Sequence, residues 1–108
     1  MSQVPFEITV TELKKLRDEN IPHQLIDCRE ADEFAFANIG GTLIPMRDTP
    51  QRLSELSDEG ELIIICRSGS RSAMVTNFLR KNGFPNARNL KGGILAWSDE
   101  IDPTVPKY

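Results

Sequence analysis

Several features that would mark whole classes of protein are missing from this sequence of 108 residues. The longest apolar run, Leu62–Cys66, falls far short of the roughly 18 residues that a membrane span requires. The segment Met1–Pro5 has neither the charged start nor the apolar stretch of a signal peptide. These absences argue against a membrane protein and a secreted one, and they favour the cytoplasm.

Basic residues are too few for a general nucleic-acid binder. The chain has 13 lysines and arginines against 16 aspartates and glutamates, for a net charge of −3 and a pI near 5.1. Binding to a phosphate backbone depends on a basic face. We therefore expect no nucleic-acid partner.

Metal-ligating residues are also scarce. The chain contains two cysteines, Cys28 and Cys66, a single histidine, His23, and no Cys-x-x-Cys pair. A structural zinc site needs four ligands, usually in closely spaced pairs. A cytoplasmic domain of this size has no need of a disulfide framework. We predict no metal site, and thiol chemistry or packing is left for the two cysteines.

The apolar residues that are present occur in short blocks throughout the chain. They make up 39% of the sequence, which is enough for one core and predicts one domain over residues 1–108. The blocks predict strands at 6–10, 24–28, 42–45, 62–66 and 87–90. Helices are predicted at 30–37, 50–56 and 70–82, with a first helix from the Thr9–Glu12 capping box to about Asn20 and a final turn carrying Leu95 and Trp97. This alternation indicates an α/β domain with a parallel sheet.

The segment 70–82 has the clearest helical pattern. Four apolar residues at helical spacing are predicted to share its buried face: Met74, Val75, Phe78 and Leu79. Gly83 is well placed as the left-handed residue that ends the helix.

The most informative segment is Cys66–Ser72, which joins the most apolar strand to this helix. Ligands of open α/β sheets bind at this edge, where a helix start presents unpaired amides. Gly69 permits a tight turn, and Arg67 and Arg71 add two positive charges. Such surroundings lower the pKa of a thiol. The alternative is that Cys66 simply packs at a strand end, but the arginines, the glycine and the helix favour a reactive thiol.

Three segments together resemble the rhodanese family. Cys66–Arg71 matches the active-site loop of that family, and Leu25–Glu30 is similar to its L-I-D-V-R-E segment. Leu90–Trp97 is similar to its L-x-G-G-h-x-x-W segment. The three segments lie in the expected order and span nearly the whole chain.

The resemblance implies a fold and a chemistry. The fold is a five-stranded parallel sheet in the order 1-5-4-2-3, flanked by helices on both faces. Cys66 would be the catalytic residue, accepting a sulfane sulfur as a persulfide and passing it to a nucleophile without a metal or an organic cofactor. The residues that would cradle the sulfur are Arg67, Ser68, Gly69, Ser70, Arg71 and Ser72.

The tail from Trp97 to Tyr108 resembles one branch more closely, the rhodanese domains at the end of enzymes that adenylate ubiquitin-like sulfur-carrier proteins. This likeness implies such a carrier, or its activating enzyme, as a partner. Thiosulfate or a protein persulfide is the implied donor, and we expect a monomer. We also expect the short loop to leave Cys66 accessible to an extended tail.

Two alternatives remain beside sulfur transfer. The related phosphatases have one further residue between the loop cysteine and arginine, so the spacing of Cys66 and Arg71 favours sulfur over phosphate. A non-catalytic binding or thiol redox-sensing module is the other alternative, which the intact loop disfavours. Asn38 and Gly40 replace the usual histidine and proline of the family, and this departure puts substrate preference in question.

Three residues near the end of the second predicted strand have open roles. Asp27 and Arg29 could support the active loop or meet the substrate, but an ion pair that joins strand to helix is the favoured interpretation. Cys28 could form a disulfide with Cys66, because the implied strand order makes their strands neighbours. The favoured interpretation is that Cys28 replaces a core valine.

Overall fold

The computed structural model describes residues 4–108, so Met1–Gln3, which belong to the segment examined for a signal peptide, lie outside the described residues. The strands are β1 (Glu7–Ile8), β2 (His23–Asp27), β3 (Thr42–Leu43), β4 (Glu61–Ile65) and β5 (Ala87–Leu90). The helices are α1 (Val10–Asp18), α2 (Ala31–Phe36), α3 (Ser70–Lys81) and α4 (Gly93–Glu100), with 3-10 helices at Met46–Gln51 and Leu53–Glu55. None of the helices described between residues 4 and 108 is long and apolar enough to cross a bilayer.

The five strands form one parallel sheet in the order β1-β5-β4-β2-β3, which confirms the predicted fold. In the register, Asp27 lies opposite Ile65 and Ile64 lies opposite Asn89. The strand β4 is central, and its residues Leu62–Ile65 are fully buried because helices cover both faces. The carboxyl ends of β2 and β4 therefore meet at the same edge of the sheet.

Two apolar layers hold the sheet between the helices. One layer packs against α1 and α4 and contains Val10, Leu13, Ile94 and Trp97. The other packs against α3 and contains Val75 and Leu79 together with both cysteines. Trp97 is 5% exposed and is part of the core.

The start of α1 shows how local chemistry sets an element boundary. The Thr9 hydroxyl accepts the Glu12 amide at 3.1 Å, and the Glu12 carboxylate accepts the Thr9 amide at 2.9 Å. This reciprocal pair is the predicted capping box. Because Thr9 is the cap, Val10 opens the helix, and its prediction as the end of the first strand is wrong.

The predicted helix at 50–56 is also wrong, since two short 3-10 helices occupy this stretch. Pro50 lies inside the first one and has no amide to donate to a helical bond. The Arg52 amide instead bonds the Thr49 carbonyl, three positions back, at 3.0 Å. The chain therefore closes tighter turns than an α-helix allows.

The buried face of α3 is narrower than the apolar pattern indicates. Val75 and Leu79 are buried, but Met74 is 57% exposed, so its prediction as a core residue is wrong. Ser72 and Thr76 are buried in its place, and the Thr76 hydroxyl donates to the Ser72 carbonyl at 2.7 Å. Of these two, Ser72 lies at the carboxyl edge of the sheet, where its hydroxyl contacts Cys66. The helix ends as predicted, with Gly83 at φ +96°.

The close approach of α4 to the loop after β4 depends on Gly93. The amides of Ile94 and Leu95 donate to the carbonyls of Cys66 and Arg67 at 2.9 and 3.1 Å. A Cβ atom on Gly93 would lie 2.5 Å from each of these two carbonyl oxygens. Gly93 also has a φ of +61°, where glycine is favoured.

Gly93→Ala should therefore destabilise the protein more than Gly60→Ala. At Gly60 only the backbone conformation is unfavourable for alanine. Gly60, at φ +77°, has no atom within 4 Å of the position that its Cβ would take. We expect Gly60→Ala to cost about 1–2 kcal/mol of unfolding free energy, and Gly93→Ala clearly more. Urea unfolding measures both, and equal losses would contradict the close contact.

Candidate active site

The loop Cys66–Ser72 lies where the sequence predicts it, between the end of β4 and the start of α3. Gly69 precedes the helix in a left-handed conformation at φ +107°. The first helical amides therefore turn back toward the strand end, where Cys66 is located. The loop thus has the geometry of an anion nest at a helix N-terminus.

The Cys66 sulfur accepts hydrogen bonds within this nest. The Gly69 amide lies 3.1 Å from Sγ, and the Ser72 hydroxyl lies 3.2 Å from it. Burial alone would raise the pKa of the Cys66 thiol, but the Ser72 hydroxyl and the amides of Ser72, Gly69 and Ser68 outweigh it. The pKa of Cys66 is consequently lower than that of an ordinary cysteine, which favours the nucleophilic thiolate.

Cys66 is fully buried, at 0% exposure, so the predicted accessibility of the thiol is wrong for this conformation. One physical reason is that the N-terminus of α4 packs against the loop and bonds the Cys66 carbonyl. A donor can contact Sγ only after side chains or part of the loop have moved.

The two loop arginines have partners on other elements. Arg71 donates to both carboxylate oxygens of Glu33 at 2.7 and 2.8 Å. Arg67 donates from Nε to the main-chain oxygen of Tyr108 at 2.6 Å and stacks over the Tyr108 ring. The positive charge of Arg71 still interacts with Cys66 at longer range. Hydrogen bonds to the sulfur come from the nest, and the arginines anchor the loop from outside.

The two loop serines that flank Gly69, Ser68 and Ser70, are both exposed. The amide of Ser68 contributes to the low pKa of Cys66.

Asn38 and Gly40 form a turn after α2. The Asn38 side chain donates to the Phe34 carbonyl and accepts the Gly40 amide, each at 3.0 Å.

Asp27 and Arg29 form a bidentate ion pair, which confirms the favoured interpretation. Arg29 donates from Nε and Nη2 to the two Asp27 oxygens at 2.9 and 2.7 Å, and both side chains are at most 1% exposed. Arg29 also donates to the Ala37 carbonyl at 2.7 Å and to the Tyr108 hydroxyl at 2.8 Å. The pair thus joins the end of β2 to Ala37 and Tyr108.

Sequence reasoning missed two residues of this edge, Tyr108 and Asn89. The Tyr108 hydroxyl donates to Glu33 at 2.8 Å, and Asn89 contacts the Ser72 hydroxyl. Tyr108 lies in the tail, residues 97–108, that resembles one branch of the family. No local sequence pattern predicts its contact with the loop. The pattern at 87–90 predicts Asn89 only as a strand residue, although a polar residue within a buried strand is a signal that it has a polar partner.

Cys28 is a buried, free thiol directly after β2. It is 1% exposed, and its amide donates to the Ile65 carbonyl of the neighbouring strand at 3.0 Å. Burial, together with the charges of Cys66 and Asp27, raises the pKa of Cys28 to about 12. The pKa values of the two thiols are therefore shifted in opposite directions although their strands are neighbours.

The chain is similar to several known proteins. The family model for the rhodanese-like domain matches residues 9–100. The adenylyltransferase and sulfurtransferase MOCS3-2 of Zea mays is 38% identical over 109 residues, covering 94% of this chain but only 23% of its own length. A rhodanese-like domain protein of Staphylococcus aureus is 35% identical with a TM-score of 0.82, covering 96% of this chain and 99% of its own. The human single-domain sulfurtransferase TSTD1 is 25% identical with a TM-score of 0.78, covering 90% and 98%.

Glu33→Gln should destabilise the protein in a pH-dependent manner. The bonds from Arg71 lower the pKa of Glu33 to about 2 from 4.5, so its carboxylate stabilises the folded state fully above pH 4.5. This contribution disappears as the pH falls toward 2. We expect a loss on the order of 2 kcal/mol at pH 7, which shrinks below pH 4.5. Thermal unfolding from pH 7 to 3 measures it, with Asp32→Asn, an exposed carboxylate of the same helix, as the control.

Mild peroxide should not link Cys28 to Cys66. A thiol with a pKa near 12 is almost entirely protonated at neutral pH, so it attacks an oxidised Cys66 too slowly. Tryptic peptide mapping should find Cys28 as a free thiol. Oxidation in urea, which exposes both thiols, is the control. A Cys28–Cys66 disulfide in the native sample would establish the redox partnership and contradict simple packing.

Proposed function

The chain belongs to the family of rhodanese-like domains, and we propose that it is a sulfurtransferase that carries sulfane sulfur as a persulfide on Cys66. The observation that carries this proposal is the hydrogen-bonded nest around Sγ. The Gly69 amide and the Ser72 hydroxyl contact the sulfur at 3.1 and 3.2 Å, and the pKa of the thiol is lowered. These groups suit a nucleophile that gains and loses negative charge in each cycle.

With thiosulfate as donor, the reaction consists of two balanced displacements. The Cys66 thiolate attacks the outer sulfur of thiosulfate, the sulfur–sulfur bond of the donor breaks, and sulfite leaves with the electron pair. A nucleophile such as cyanide then attacks the outer sulfur of the persulfide, which releases thiocyanate and the Cys66 thiolate. No external oxidant is required, because the sulfane sulfur keeps its oxidation state.

The loop residues have distinct roles in this proposal. The amides of Ser68, Gly69 and Ser72 stabilise negative charge on the sulfur. Arg71, whose side chain is 30% exposed, adds long-range positive charge that attracts an anionic donor. Arg67 fixes the loop through its bond to Tyr108. The buried pair Asp27–Arg29 supports the site without touching the substrate.

The physiological partners are inferred from the relatives. The Zea mays relative is named as both an adenylyltransferase and a sulfurtransferase, and this chain corresponds to 23% of its length. We propose a ubiquitin-like sulfur-carrier protein as the acceptor and a protein persulfide as the cellular donor. Either partner must open the site, because Cys66 is fully buried. The cytoplasmic location and the monomeric state stay predictions from the sequence.

Intact-protein mass spectrometry after thiosulfate treatment tests the carrier step. The wild type and Cys28→Ser should each gain one sulfur atom that cyanide removes, while Cys66→Ser should gain none. The Cys28 variant is the matched control, since it removes the neighbouring buried thiol.

Two other outcomes decide against parts of the proposal. Sulfur on Cys66→Ser would show that Cys66 is not the carrier. If the wild type takes no sulfur from thiosulfate or from a persulfidated protein, the domain is a binding or redox-sensing module.

A further inference from the structure

Asn89 is linked to the nest through Ser72, whose hydroxyl contacts both the Asn89 side chain and the Cys66 sulfur. It is 2% exposed on β5, and its amide donates to the Phe6 carbonyl at 2.7 Å. Its side-chain Oδ1 lies 2.5 Å from the Ser72 Oγ, which is itself 3.2 Å from Sγ. A buried serine hydroxyl is therefore within hydrogen-bond distance of both an amide oxygen and the sulfur.

The orientation of the Asn89 amide follows from its neighbours. Its Nδ2 donates to the Gly69 carbonyl at 3.2 Å and lies 3.4 Å from the Glu7 carboxylate. Both neighbours are acceptors, so reversing the amide would set an oxygen against two oxygens. The Oδ1 atom consequently faces Ser72, and these two oxygens can lie at bonding distance only with a hydrogen between them.

The Ser72 hydroxyl has one hydrogen and two acceptors that compete for it. When Cys66 is a neutral thiol, Ser72 can donate to Asn89 and accept the S–H hydrogen. When Sγ is an anion, the hydroxyl must turn toward it, and the Asn89 oxygen loses its donor. A buried acceptor without a partner costs free energy, so each arrangement favours a different charge state of the sulfur.

We propose that Asn89 is a positioning residue that holds the Ser72 hydroxyl hydrogen whenever Sγ is uncharged and gives it up when Sγ becomes an anion. This proposal rests on the proposed function in one respect: a persulfide has an uncharged Sγ, and the hydrogen can then rest on Asn89. Asn89 thereby favours the sulfur-loaded form over the free thiolate. Asn89 also opposes ionisation of the Cys66 thiol, whereas the backbone amides favour ionisation.

The other charged and titratable groups near the sulfur stay constant in the test. Cys28, after β2, and Arg71, on α3, interact with Cys66 through their charge. Asp27 interacts with Cys28, and Glu7 reaches the far side of the Asn89 amide. Since none of these groups is changed, their contributions cancel in a double-mutant cycle between positions 72 and 89.

The cycle compares the wild type, Asn89→Leu, Ser72→Ala and the double variant. The readout is an equilibrium titration of thiolate absorbance at 240 nm between pH 4 and 9, with Cys66→Ser as the blank. Leucine is close to asparagine in size and has no acceptor, so Ser72 can donate to the thiolate without competition. We expect Asn89→Leu to lower the pKa of Cys66 by about half a unit to one unit more when residue 72 is serine than when it is alanine.

A coupling of zero, or of the opposite sign, would overturn the proposal. Loss of the bond to Gly69 is a structural effect that is the same in both backgrounds, so the coupling does not contain it. If Asn89→Leu does not fold, Asn89→Ala also lacks the acceptor and must give the same sign. The titration requires no sulfur transfer, so a protein that shows the coupling but takes no sulfur refutes the sulfurtransferase function and leaves the role of Asn89 intact.

Discussion

The arrangement of the candidate active site depends on the buried ion pair between Asp27 and Arg29. Both side chains are at most 1% exposed, and breaking such a pair leaves an unpaired charge that costs several kcal/mol. Two of the remaining Arg29 donors bond the Ala37 carbonyl and the Tyr108 hydroxyl. One guanidinium therefore fixes the end of β2, the residue after α2 and the last residue of the chain relative to one another.

Tyr108 extends this constraint to the two arginines of the cysteine loop. Its hydroxyl donates to Glu33, which binds Arg71, and its main-chain oxygen accepts Arg67. Both guanidinium groups bind partners outside the loop. The sulfur therefore receives its hydrogen bonds from backbone amides and from the Ser72 hydroxyl. Such donors suit a sulfur that alternates between an anion and an uncharged atom, since a hydroxyl can reorient whereas a direct salt bridge would favour the anion alone.

Local chemistry explains which parts of the structure could be predicted from the sequence. The capping box at Thr9 and the strand 87–90 depend on near neighbours, and so does the pair between positions 27 and 29. The strand order came from family resemblance, because apolar blocks do not encode it. The bonds of Tyr108 to Arg29 and Glu33 join positions 79 and 75 residues apart, which no local pattern reveals. The apolar periodicity of α3 does not predict its buried face, because Ser72 and Thr76 are buried whereas Met74 is exposed.

Burial of Cys66 has two opposing effects on its thiol. Burial raises the pKa of Cys66, yet it also strengthens each hydrogen bond in the nest and would keep water from the proposed persulfide. The base of the loop is bound to α4, because the amides of Ile94 and Leu95 donate to its first two carbonyls. Access for a donor must therefore come from the other side, where Ser68–Ser70 has two exposed serines. The same residues that supply amides to the sulfur would then have to move to admit a donor.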